Sequence, residues 1–196
     1  MPTTMRPRIL AIGGALRRES FNQKLAVIAA EGARAAGAEV TLAVLREYPM
    51  PLYDADLEAE QGLPETVRQL KKLFVEHHGL ILASPEYNTS MTGVFKNAID
   101  WVSRSETKEE TPLAAIAGKT VVLCAASPGA LGGLRGLIHV RAMLSSLGAN
   151  VLPDQVTVNQ AHKAFSPDGR LVDEKLDARV RGLGATLARH LGKLLA

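Results

Sequence analysis

The chain has one cysteine, Cys124, among 196 residues. An intramolecular disulfide is therefore impossible and a cysteine-rich metal centre is excluded, which fits a reducing compartment. Phe, Tyr and Trp make up only 4% of the residues, too few to build stacking platforms for a nucleic-acid strand. No apolar run is long enough for a membrane-spanning helix. The first such run, Ile9 to Leu16, is broken by Gly13 and Gly14 and leads into Arg17, Arg18 and Glu19. It has neither the apolar core nor the small-residue cleavage site of a secretion signal. Nor is there a large excess of one charge: 23 Lys and Arg stand against 20 Asp and Glu, a net charge of +3. The two signs are interleaved, as in VRQLKKLFVE and VDEKLDARVRG, which describes a solvated mixed surface rather than a nucleic-acid footprint. These absences predict a cytoplasmic protein with no membrane insertion and no nucleic-acid partner. The mild positive charge favours a small anionic ligand.

What is present is an alternation of strand and helix patterns. The 46% hydrophobic and 22% charged content is that of a soluble globular protein, and the length suits one domain spanning residues 1–196. Strands are expected at Arg8–Ile12, Glu39–Val44, Gly79–Ala83, Thr120–Ala126 and, short, around Asn150–Leu152. Helical spacing joins Phe21, Leu25, Ile28, Ala29 and Ala33, ending at Ala36-Gly37. It also joins Val67, Leu70 and Phe74; then Phe95, Ala98, Ile99 and Val102; then Leu134, Leu137, Ile138, Leu144 and Leu147. The last helix carries Leu176, Val180, Leu183, Leu187, Leu191 and Leu194. The proline-rich segment REYPMPLYDADLEAEQGLP reads as a loop. Strands alternating with helices predict an α/β fold, a parallel sheet covered on both faces, and the common order for five strands is 2-1-3-4-5. Ligands then bind beyond the carboxyl ends of strands 1, 3 and 4.

Three loops fall at that edge. In GALRRESFN, Gly13 and Gly14 allow a tight turn and a helix starting near Ser20 offers free N–H groups to an anion. Arg17 adds a charge-assisted fork, and Ser20 and Asn22 add neutral donors. Ser20 also reads as an ordinary N-cap. The spacing matches neither the dinucleotide nor the triphosphate glycine loop, so a phosphate monoester suits it better. In SPEYNTSMTGVFKNAIDW, Pro85 and Asn88 fit a turn, Tyr87 offers a flat amphipathic face and Gly93 allows close backbone approach. A buried Tyr87 and a helix cap at Thr92 would explain the same residues without a ligand. In SPGALGGLRG, four glycines let main chain lie flat against a ligand, or simply turn a strand into a helix. Together the loops describe a phosphate pocket beside a platform for a planar ring, which is a flavin mononucleotide site.

These stretches resemble the NAD(P)H-dependent FMN reductases, the flavodoxin-like group of quinone, chromate and azo-dye reductases, from about Arg8 to the final helix. The family's first-loop pattern, Gly-Ser-x-Arg-x-x-Ser-x-Asn, falls on Gly14, Ala15, Arg17, Ser20 and Asn22. Ala15 is a departure that removes one phosphate-binding hydroxyl. Pro85, Glu86, Tyr87 and Asn88 match the loop along the isoalloxazine ring, and Ser127 and Gly129 the loop near its other edge. Thr89 and Met91 stand where relatives often have an aromatic residue and a proline. The resemblance implies a flavodoxin-like three-layer sandwich and an FMN cofactor with NAD(P)H as co-substrate. It implies ping-pong hydride transfer to quinones, flavins, azo dyes or chromate, with no catalytic acid or base. A homodimer or homotetramer is expected to complete the open flavin face, through the PMPLYDAD loop and the helix after Thr92. The alternative is a flavodoxin-type electron carrier without nicotinamide turnover; such carriers are usually acidic, and this chain is basic. Elsewhere, His77 and His78 fit cationic help to a helix C-terminus, Cys124 fits core packing, and Asp54 with Asp56 lacks a histidine for a metal site.

Overall fold

Parallel pairing requires a crossover between successive strands, and the sequence supplies a helix for each. The computed structural model describes residues 5–196. In chain order the elements are β1 (Arg8–Gly13), α1 (Phe21–Ala35), β2 (Glu39–Val44), α2 (Ala55–Gln61), α3 (Glu65–Glu76), β3 (Gly79–Ala83) and α4 (Gly93–Val102). There follow β4 (Thr120–Ala126), α5 (Leu134–Ser146), β5 (Asn150–Val158), α6 (Ala161–Ala164) and α7 (Glu174–Leu194). The sheet runs β2-β1-β3-β4-β5 with every neighbouring pair parallel, the order expected.

Alternate residues of the central strands feed two cores. Ile9, Ala11, Ile81, Val122 and Cys124 meet α1 and α7 on one face. Leu10, Ile12, Leu80, Leu82 and Leu123 meet α3, α4 and α5 on the other. Each fully buried Leu or Ile contributes roughly 1.5–3 kcal/mol, so these rows anchor the three layers. Helices α1 and α7 cross with their backbones in contact. A Cβ on Gly184 would lie 1.9 Å from the Ala29 carbonyl oxygen, and one on Gly32 would lie 2.0 Å from that of Arg181. Arg181 spans the same crossing, pairing with Asp177 and with Glu31 of α1, both at 2.6 Å.

Three details differ from expectation. The proline-rich segment contains α2, which has no buried residue and starts because the Asp54 side chain accepts from the Asp56 and Leu57 N–H groups. The fifth strand continues past Leu152 to Val158. Pro153 sits where the β4–β5 register shifts, on an edge strand, and a bulge there tolerates proline. Arg141 donates to the Val151, Leu152 and Pro153 carbonyls beside the bulge. Ile138 is 57% exposed rather than core.

The histidines divide. His77 is buried and its Nδ1–H donates to the Leu73 carbonyl at 2.6 Å, as a helix-end group should. His78 instead accepts from the Arg8 N–H through Nδ1 at 3.0 Å. Burial, with Arg8 and Lys119 nearby, lowers its pKa. The α3 C-terminus takes its cations from Lys119, which donates to the His77 carbonyl at 2.7 Å, and Arg8, which donates to that of Glu76 at 2.9 Å. Gly184→Ala forces α1 and α7 apart, so its expected cost is about 3 kcal/mol, a fall in Tm of roughly 6–12 °C by thermal denaturation. An unchanged Tm would contradict the close crossing.

Candidate functional site

The first loop is built around two glycines. Gly13 donates to Gln23 Oε1 at 3.1 Å, and a Cβ there would lie 2.7 Å from the Gln23 Cα. Gly14 donates to the Ala83 carbonyl at 2.8 Å, and its own carbonyl accepts from Thr92 Oγ1 at 2.7 Å. The end of β1 is thereby locked to the end of β3 and the start of α4. Ser20 then caps α1, its Oγ accepting from the Gln23 N–H at 3.3 Å, which leaves the hydroxyl hydrogen unspent. The Phe21 and Asn22 N–H groups donate to no acceptor among the described residues, as the first turn of a helix must leave them. Ser20 and Asn22 are only 4% and 3% exposed.

Asn22 does more than donate. Its Nδ2 gives a hydrogen bond to the Ala126 carbonyl at 2.8 Å, and its Oδ1 accepts from the Ala126 N–H at 2.9 Å. One amide hydrogen remains. Arg17 lies with its guanidinium carbon 5.0 Å from the centroid of the Phe21 ring, and its Nη2 donates to the Glu19 carbonyl at 2.6 Å. Glu19 forms no ion pair with it, since its carboxylate pairs with Lys24 at 2.8 Å, although the two charges still feel each other. The Lys24 hydrogen bond and charge hold the Glu19 carboxyl below the usual carboxylate range. Among the described residues no carboxylate pairs with Arg17.

The second loop leaves β3 at Pro85 and folds into a hairpin turn. Tyr87 and Ser90 exchange N–H···O bonds of 2.8 and 3.0 Å around Asn88 (φ 48°) and Thr89 (φ 67°). Two left-handed residues in succession make a type I′ turn, which Asn tolerates and a β-branched Thr does not without strain. Thr92 caps α4 by accepting from the Phe95 N–H at 3.1 Å. Tyr87, however, is 60% exposed, so burial does not explain its presence. Glu86 is held against α5: Oε1 accepts from Arg135 Nε at 2.8 Å and from Nη2, and Oε2 accepts from the Gly136 N–H at 3.1 Å. Burial raises its pKa, but the Arg135 fork and the Gly136 N–H together outweigh that and hold the carboxyl below its ordinary range.

The third loop begins at Ser127, whose Oγ accepts from the Gly129 N–H at 3.3 Å. Its glycines serve different ends. Gly132 (φ 61°) and Gly133 (φ 95°) are left-handed, and a Cβ on Gly133 would lie 2.6 Å from that of Ala125. One on Gly136 would lie 3.2 Å from the Ser90 carbonyl oxygen. Gly133 and Gly136 thus let α5 approach β4 and the second loop, whereas a Cβ on Gly132 would lie 2.9 Å from the Asn159 N at the end of β5. Only Gly129 could carry a Cβ uncrowded, in ordinary contact with Ser127 Oγ at 3.7 Å.

The loops enclose a cleft of about 190 Å³. Arg17, Ser20, Asn22, Pro85, Glu86, Tyr87 and Ser127 line it, together with Ala15, Phe21, Ala126 and Pro128. Gly14 lies beneath in the hydrogen-bonded turn, Asn88 forms the tip of the hairpin, and Gly129 follows Pro128; none of these three lines the cleft. Phe21 reads in sequence as the first apolar residue of α1, and only its place directly after the cap hints at the cleft. Among the described residues no group of three potential metal ligands exists, and no helix is long and apolar enough to cross a membrane.

A doubly wound sheet of this order, with a cleft where β1 and β3 diverge, is a flavodoxin-like architecture. The family model for NADPH-dependent FMN reductases matches residues 7–163, and the chain belongs to that family of oxidoreductases. It is 36% identical over 169 residues to an NAD(P)H-dependent FMN reductase of Pseudomonas aeruginosa, covering 86% of each chain. It is 37% identical over 169 residues to a quinone reductase of Escherichia coli, covering 85% of this chain and 86% of that one. Among solved structures it resembles FerB, a flavoenzyme NAD(P)H:(acceptor) oxidoreductase from Paracoccus denitrificans, with a TM-score of 0.77 at 27% identity over 95% of this chain and 98% of that one.

The lowered Glu86 carboxyl makes a prediction about acid stability. Its contribution is full above about pH 4.5, the ordinary carboxylate value, and is lost as the pH falls through the lower folded value. Glu86→Gln should start less stable near neutral pH and lose less stability on acidification than the parent. Parallel acid-denaturation curves would remove the assignment.

Proposed function

We propose that the chain binds FMN in this cleft and uses NAD(P)H to reduce quinones or other small acceptors by ping-pong hydride transfer. The observation that carries this reading is an unneutralised Arg17 beside the free N–H groups of a helix whose cap, Ser20, is buried. A lone phosphate fits that donor set: one cation, one hydroxyl and two main-chain N–H groups. Arg17 grips the phosphate oxygens, Ser20 and the Phe21 and Asn22 N–H groups complete the cradle, and Ala15 adds no hydroxyl. The main chain of Pro85, Glu86 and Tyr87 borders the planar ring on one side, with Asn88 beyond it at the hairpin tip, and Ser127 borders the other edge, with Gly129 just beyond Pro128. Glu86 acts from behind, holding the hairpin against α5.

Bound FMN supplies the redox chemistry, accepting a hydride from nicotinamide and passing reducing equivalents to the acceptor. The protein's part is binding, orientation and an open face; no side chain is assigned a proton transfer. Quinones lead as acceptors because the relatives include quinone reductases, and azo dyes, chromate and free flavin can draw on the same reduced ring. We also place the protein in the cytoplasm, as one domain, and assemble it as a homodimer or homotetramer. The apolar Leu131, Leu134 and Ile138 stand exposed around the start of α5 and favour a partner subunit.

The purified protein should be yellow and lose its flavin absorbance when NADPH is added without oxygen. A yellow protein that stays yellow would be an electron carrier, and one that cannot take up FMN would end the proposal. Arg17→Ala should weaken FMN binding roughly 10- to 150-fold, the worth of one charge-assisted hydrogen-bond pair. Sedimentation at micromolar concentration should show a dimer or tetramer; a monomer would remove the assembly.

A further inference from the structure

Arg17 is exposed and unneutralised, yet its guanidinium is held in place. The Glu19 carbonyl takes one edge and the Phe21 ring supports the plane. Phe21 in turn is stacked by Phe165, with ring centroids 5.5 Å apart and planes 17° from parallel. Phe165 comes from the far end of the chain, directly after α6, where it pairs with Leu171 across a turn closed by the Ser166–Arg170 and Gly169–Ser166 hydrogen bonds of 2.9 Å. That turn is rooted in the cleft wall: the Ala161 N–H donates to the Ser127 carbonyl at 3.1 Å, and Ala161 and Leu171 are buried.

We propose that the Phe165–Phe21 stack sets the Arg17 guanidinium at the phosphate end of the cleft, making Phe165 a positioning residue for phosphate recognition. The inference rests on the FMN reading above. A long side chain that must be immobilised on binding loses rotamer freedom. One already held on an aromatic face loses less, and the difference appears as affinity for the charged group it meets. The support acts through Arg17 alone, so it affects the phosphate and not the ring.

Equilibrium dialysis of the full chain against FMN and against riboflavin, which lacks the phosphate, tests this. Phe165→Leu should weaken FMN binding roughly two- to fivefold and leave riboflavin binding unchanged. Phe165→Tyr should keep the parent affinity, and Phe165→Leu should add nothing in an Arg17→Ala background. Phe165→Met, which fills the space without a ring, carries the same expectation if the Leu variant folds poorly. Equal weakening toward both flavins would mean general packing and overturn the inference. So would an unchanged FMN affinity in Phe165→Leu while Arg17→Ala binds weakly, and there the FMN reading survives. Arg17→Ala with parental FMN affinity would sink the phosphate reading itself.

Discussion

The Asn22 side chain and the Ala126 backbone exchange two hydrogen bonds of 2.8 and 2.9 Å across 104 residues of sequence. An amide side chain here imitates a neighbouring strand: it gives one bond and takes one, as a peptide unit would. Both partners are buried, so losing either leaves a polar group unsatisfied at a cost of about 1–3 kcal/mol. A parallel sheet brings its connections to one edge but does not fix their mutual distances. Asn22 fixes the distance between α1 and the end of β4. Through it Arg17 and Ser20 keep a set relation to Ser127, and the cleft exists as one site rather than three adjacent loops.

Charge around the cleft follows a simple division. Glu19 is occupied by Lys24 and Glu86 by Arg135, so both nearby carboxylates are spent on structure. Among the described residues Arg17 has no carboxylate partner, and in the function proposed above its charge meets the phosphate. At the opposite end of the sheet, Lys119 and Arg8 donate to the last carbonyls of α3. Burial, then the charge of Arg8, lowers the pKa of Lys119. Cations at that end stabilise a helix terminus, while the cation at the cleft end lies beside a helix start and has no carboxylate partner among the described residues.

Much of the architecture is legible in the chain because the strands are short, apolar and punctuated, and the long helices keep their period. Where the pattern misleads, the cause is tertiary. Pro153 looks like a terminator until a bulge and Arg141 absorb it. α2 buries nothing and so has no apolar period; only Asp54 marks its start. Ile138 fits the apolar spacing of α5 but points away from the core, and the contact of Gly184 with α1 depends on a crossing no local pattern announces. The site is legible in its residue types more than in their duties. Arg17 and Ser20 do line the cleft. Glu86 faces α5, Asn22 spends most of its amide on Ala126, and Gly133 and Gly136 serve helix approach. Phe165 carries no signal of its partner, since Phe21 lies far away in sequence.

Cys124 is sealed inside β4, and burial pushes its thiol up to about 12. Only the deprotonated sulfur attacks electrophiles. Quinones are soft Michael acceptors that alkylate such sulfurs, so a protein that handles them risks arylation by its own substrate. Here the sole thiol is protonated and out of reach, so the quinone chemistry proposed above would leave it unmodified.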